Sequence, residues 1–149
     1  MKRLVSALFL IVALSPVSAF GFGEVFKVET TGTEYCGDFF SRRISPTNNV
    51  DWWVRVVSDT ELSVSYTPDF QPGTFFAIFG QTYQTGSTSA AFVGGQLFQD
   101  LSYVTIQGKA TYDKKTGAIK SLAGTFISKD LMGDGCFSSG TFKTVRRVL

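Results

Sequence analysis

The sequence contains no histidine, only two cysteines and only four prolines among 149 residues. Without histidine, Ser-His-Asp and Cys-His nucleophilic sites, imidazole general bases and histidine metal centres are excluded in their usual forms. No apolar run approaches the roughly 20 residues that a membrane-spanning helix needs. Charge is missing too: from Phe70 to Gln99 there is no Asp, Glu, Lys or Arg. The few charges elsewhere nearly cancel, with a net of +2 over the whole chain.

What is present starts at the front. Lys2 and Arg3 precede an apolar stretch from Leu4 to Leu14, Ser15-Pro16 breaks it, and Val17-Ser18-Ala19 supplies small residues for cleavage. This is the order of a secretory signal peptide. It predicts a single domain over residues 20–149, secreted or periplasmic, in a compartment where Cys36 and Cys136 pair. With Lys2 and Arg3 removed the remaining charge is zero, so nothing in the balance favours nucleic acid or an anionic membrane as partner. Eight basic residues against three acidic ones lie from Lys109 onward, a pattern that reads first as a solvated face.

The dominant period is two, the period of a strand. Leu62, Val64 and Tyr66 alternate with polar residues; Val50, Trp52, Val54 and Val56 form a second stripe, with Trp53 and Val57 making its other face apolar as well. Val104, Ile106, Gly108, Ala110 and Tyr112 form a third, and Ala118, Leu122, Gly124 and Phe126 a fourth that Lys120 interrupts. Turn signals separate these runs: Ser45-Pro46, Pro68-Asp69, Pro72-Gly73, Thr85-Gly86, the hairpin loop Asp113-Lys114-Lys115-Thr116-Gly117, and Met132-Gly133-Asp134-Gly135. The expectation is an all-β, antiparallel domain of about eight strands. A Cys36–Cys136 bridge joins its two ends, which favours a closed barrel over a β-sandwich.

A small, exported, eight-stranded barrel closed by one bridge resembles the up-and-down architecture of lipocalins and avidins. The Gly-x-Trp signature of a lipocalin first strand is absent, so the resemblance is one of architecture alone.

Chemistry-bearing groups are sparse. Asp59 and Glu61, two apart at a strand start, share a face as an acid–base pair would, but Ser58-Asp59-Thr60 reads as a turn. Asp130 and Asp134 lack the alternating ligands of a calcium loop, and Ser138 and Ser139 have no base beside them. No catalytic set, metal or cofactor is implied, and the chain is read as a binding protein rather than an enzyme.

The charge-free segment is the anomaly. In Thr74-Phe75-Phe76-Ala77-Ile78-Phe79 neither face is polar, and a strand of that kind buries both faces or presents one to something other than water. A covering segment carrying Phe20 and Phe22, a ligand cavity, and a partner or lipid surface are the three ways to satisfy it. The leading expectation is a small apolar or aromatic ligand held in the barrel, with Trp52, Tyr66, Phe76, Ile78 and Phe79 as walls and Gln81 or Tyr83 as polar contacts. The alternative is a protein-interaction module of the cell envelope or an inhibitor of a secreted enzyme. A small outer-membrane barrel stands behind both, since it would need outward apolar faces on every strand.

Overall fold

Alternating side chains need a sheet with one dry face, and the chain supplies it by rolling one sheet into a barrel. The computed structural model describes residues 23–36, 40–44, 52–129 and 135–148. Residues 1–19, expected to form a signal peptide, lie outside these residues, as do Phe20, Phe22, Val50, Asp130 and Asp134. Nine strands follow in order: β1 (Val25–Cys36), β2 (Phe40–Ile44), β3 (Trp52–Val56), β4 (Glu61–Ser65), β5 (Phe75–Gly86), β6 (Ser89–Leu97), β7 (Tyr103–Tyr112), β8 (Ile119–Lys129) and β9 (Cys136–Arg147). All pairings are antiparallel, and β9 returns to β1 from Phe26↔Arg147 to Cys36↔Cys136, with one register shift between Lys27 and Val28. Eight strands close the ring. The ninth, β2, shares an edge of β1 with β3: β3 takes Val25–Val28 and β2 takes Gly32–Cys36. Closure removes the two long edges that an open sheet would expose.

Cys36 and Cys136 end the β1–β9 seam as a directly opposed pair, bonded to each other with Cα atoms 4.3 Å apart. Such a bond is the state of a non-reducing compartment. Among the described residues no helix is long and apolar enough to cross a membrane.

The inner face carries the core: Phe26, Val28, Trp52, Val54, Val56, Leu62, Val64, Ile78, Val104, Ile106, Phe126 and Phe142 form one cluster. The Leu62, Trp52 and Val104 stripes all point inward, as their period requires. The fourth stripe holds from Leu122 to Phe126 and changes phase only before Leu122. Ile119, 2% exposed, is the inward residue and Lys120 points out, bonding Asp113 at 3.1 Å. A bulge explains it: Tyr112 opposes Ile119 and Thr111 opposes Ser121, so Lys120 is the extra residue and the parity changes there.

The barrel is narrow enough to need inward glycines. Gly32↔Gly140, Gly80↔Gly94 and Gly108↔Gly124 are cross-strand pairs. A Cβ on Gly140 would stand 2.1 Å from the Thr31 carbonyl oxygen, inside any real contact. The Phe142 ring covers the Gly108–Gly124 pair, at 2.9–3.0 Å from where their Cβ atoms would be, the arrangement by which an aromatic compensates a strand glycine. Gly140→Ala should therefore lower stability by about 1–3 kcal/mol or more through overpacking, read as a shift in the denaturation midpoint. Phe79→Ala on the outer face serves as the near-neutral control.

The end opposite the disulfide is sealed by a buried carboxylate. Glu24 accepts the Ile119 N–H at 2.9 Å and pairs with Arg147 at 2.8 Å, tying the first described residues to β8 and β9. Glu24→Ala leaves the Ile119 N–H without that acceptor. It should cost about 1.5–3 kcal/mol, the range for a hydrogen bond to a charged group, and hydrogen exchange at Ile119 should accelerate with it.

Outside the barrel, the second face of the tryptophan strand is dry. Trp53, Val25 and Phe70 form a separate buried cluster, with Lys27 over the Trp53 ring and the Arg55 guanidinium 4.1 Å from the Phe70 centroid. The segment between β4 and β5 folds back to place Phe70 there, at a positive φ of 51°.

Candidate functional site

The barrel has two ends of different character. The closed end holds the short turns before β4, β6 and β8. The other holds the disulfide and the connections 66–74 between β4 and β5 and 98–102 between β6 and β7. The connection 66–74 is pinned by threonine. Thr74 Oγ1 donates to the Gln71 carbonyl at 2.7 Å and lies 3.0 Å from Thr67 Oγ1, while Tyr66 N–H donates to the Thr74 carbonyl at 3.1 Å. The connection 98–102 is pinned by aspartate: Asp100 Oδ1 accepts the Ser102 N–H at 3.0 Å and the Ser102 hydroxyl at 2.6 Å. Those two bonds hold the Asp100 carboxyl below its ordinary range. Loops fixed in this way make walls rather than lids.

Between them lies an open cleft of about 540 Å³, lined by Tyr66, Thr74, Phe76, Phe98, Asp100 and Ser102 among others. Its floor is aromatic. The Tyr66 and Phe76 rings stand 6.3 Å apart, and Phe76 meets Phe98 edge-on at 5.7 Å. All three rest on the barrel core, and burial pushes the Tyr66 phenol up. The volume falls within the range of small-molecule sites, about 300–1,000 Å³.

The barrel interior itself is nearly full. The cavity ringed by Trp52, Val54, Leu62, Ile106, Leu122 and Phe142 measures about 50 Å³, well short of the roughly 150 Å³ that an apolar cavity needs to take up benzene. Trp52 forms part of its wall, packed on Phe126 at 5.1 Å.

Of the seven residues expected to form a ligand site, the structure brings Tyr66 and Phe76 together in the cleft and puts Trp52 and Ile78 in the packed core. Phe79, Gln81 and Tyr83 lie on the outer face of β5, away from the barrel interior in which they were expected. Phe76 and Ile78 point in, so period two sends 79, 81 and 83 out. Phe79 and Tyr83 are 54% and 53% exposed, and the Tyr83 hydroxyl donates to the Gln81 side-chain carbonyl. Sequence reasoning missed Thr74, Phe98, Asp100 and Ser102. The signal for the last two was the Asp-x-Ser spacing, which reads as an Asx turn.

Asp59 and Glu61 belong to the closed-end turn, where the Val57 and Ser58 N–H groups both donate to the Glu61 carbonyl at 3.1 Å. Ser138 faces inward and donates to Glu34 Oε1 at 3.3 Å, beside the disulfide. Glu34, Cys36 and Cys136 converge there, but the two sulfurs are bonded to each other and are not thiolate ligands.

The outer face of β5 and β6 stays apolar and uncovered among the described residues, with Phe79, Tyr83, Val93 and Leu97 each more than half exposed.

No family model, no curated protein and no solved structure matches this chain.

Proposed function

We propose that the protein is an exported, disulfide-closed binding barrel that holds a small ligand with an aromatic or apolar body in the cleft at its disulfide end. The supporting observation is the contrast in space: an aromatic-floored cleft of about 540 Å³ between two hydrogen-bonded loops, above an interior with about 50 Å³ left. Burying an apolar ring against Tyr66, Phe76 and Phe98 supplies the affinity, and Thr74, Asp100 and Ser102 at the rim supply orientation.

The test is fluorescence titration with N-phenyl-1-naphthylamine, an uncharged apolar probe. Saturable binding is expected, weakened about tenfold by Phe98→Ala (about 1.4 kcal/mol) and unchanged by Val93→Ala on the outer face. Absence of saturation, or indifference to Phe98→Ala, would remove the reading.

The outer face of β5 and β6 favours a second reading, an interaction module. A second copy is the partner whose surface matches by construction, since the same uncharged patch meets itself about a two-fold axis without like-charge repulsion. Sedimentation velocity should then show reversible association that Val93→Lys abolishes; a monomer at every concentration would end this reading.

A further inference from the structure

Resting on the cleft as the binding site, we infer that it selects a cation: an amine or quaternary ammonium joined to an aromatic or apolar body. Asp100 is the one charged side chain among the residues lining the cleft. Its Oδ1 is committed twice to Ser102, which fixes the carboxylate at the rim, and Oδ2 makes no hydrogen bond among the described residues. No lysine or arginine is among the described residues that line the cleft; Lys129, opposite Tyr103 on the neighbouring strand, stands outside that lining. Asp69 sits on the loop that forms the other wall, and hydrogen bonds from Thr67 and Gln71 lower the pKa of its carboxyl. An anionic ligand entering here would meet a carboxylate and no basic side chain among the described lining residues. A cation meets one fixed carboxylate and three aromatic rings, whose faces attract positive charge.

Three compounds of nearly one shape separate the possibilities: 2-phenylethylamine, 2-phenylethanol and phenylacetate, titrated by calorimetry into the full oxidised protein. The amine should bind at least tenfold more tightly than the alcohol, and phenylacetate more weakly than either. Asp100→Asn keeps an acceptor for both Ser102 bonds and so keeps the loop. It should remove the difference in affinity between the amine and the alcohol. High salt should shrink the amine's advantage, because the carboxylate is exposed. If all three bind alike and remain sensitive to Phe98→Ala, the cleft stands and the cation preference is overturned. If none binds in a Phe98-dependent way, the cleft reading fails with it.

Discussion

Replacing Cys36 and Cys136 together by alanine is expected to remove about 4–5 kcal/mol of stability, the largest effect of any change considered. The bridge spans a sequence separation of 100 residues, and in the chain-entropy model a loop of that size is worth about 4.7 kcal/mol. Whole domains are stable by only about 5–15 kcal/mol, so the bond separates a robust fold from a marginal one. Its position sharpens the expectation. It sits at the last register pair of the β1–β9 seam, the contact that turns a sheet into a ring. Reduction should therefore accelerate hydrogen exchange first at Tyr35 and Phe137, beside the bridge, and leave the closed end around Phe26 and Ile119 protected until global unfolding. Urea denaturation of the oxidised protein and the double variant measures the first effect. Equal midpoints would mean that the strand pairing alone holds the ring shut.

The second large effect concerns the filled interior. Trp52→Ala should cost about 3–5 kcal/mol, the range for deleting a buried aromatic, because Trp52 packs on Phe126 in the barrel core. Phe79→Ala removes a ring from the outer face and should change stability by no more than about 0.5 kcal/mol. In sequence the two aromatics look equally apt as barrel walls; the strand parity separates them. Trp52→Ala should also open a cavity large enough for benzene, giving a ligand-dependent rise in melting temperature that the unmodified protein lacks. Similar losses for the two variants would contradict the inward and outward assignments on which the fold description rests.

These cases show how far the sequence was legible. The ring of strands, the inward stripes of Trp52, Leu62 and Val104, and the bridge between the chain's two ends follow from period two and cysteine arithmetic. In the Ala118–Phe126 stripe Leu122, Gly124 and Phe126 point inward as expected, and Ala118 alone is out of phase because the bulged residue Lys120 inverts the parity before it, which no local pattern announces. The site was half legible. Tyr66 and Phe76 came from aromatic density on the correct face, but Phe79, Gln81 and Tyr83 were carried along by density alone against the parity of the same strand. Phe98 and Asp100 could not be placed beside Tyr66 from sequence, since the cleft joins two loops about thirty residues apart that the β5–β6 pairing sets side by side. The near absence of interior space was invisible as well. It depends on where Trp52, Phe92 and Phe142 settle against inward glycines, and composition is silent on that.

The central claim is that binding takes place in the cleft at the disulfide end and not inside the barrel. Amide and aromatic chemical-shift mapping during titration with 2-phenylethylamine tests it most directly. The expected result is saturable shifts confined to Tyr66, Thr74, Phe76, Phe98, Asp100 and Ser102. Shifts centred on Val54, Ile106 and Leu122 would put the ligand in the interior and contradict the claim.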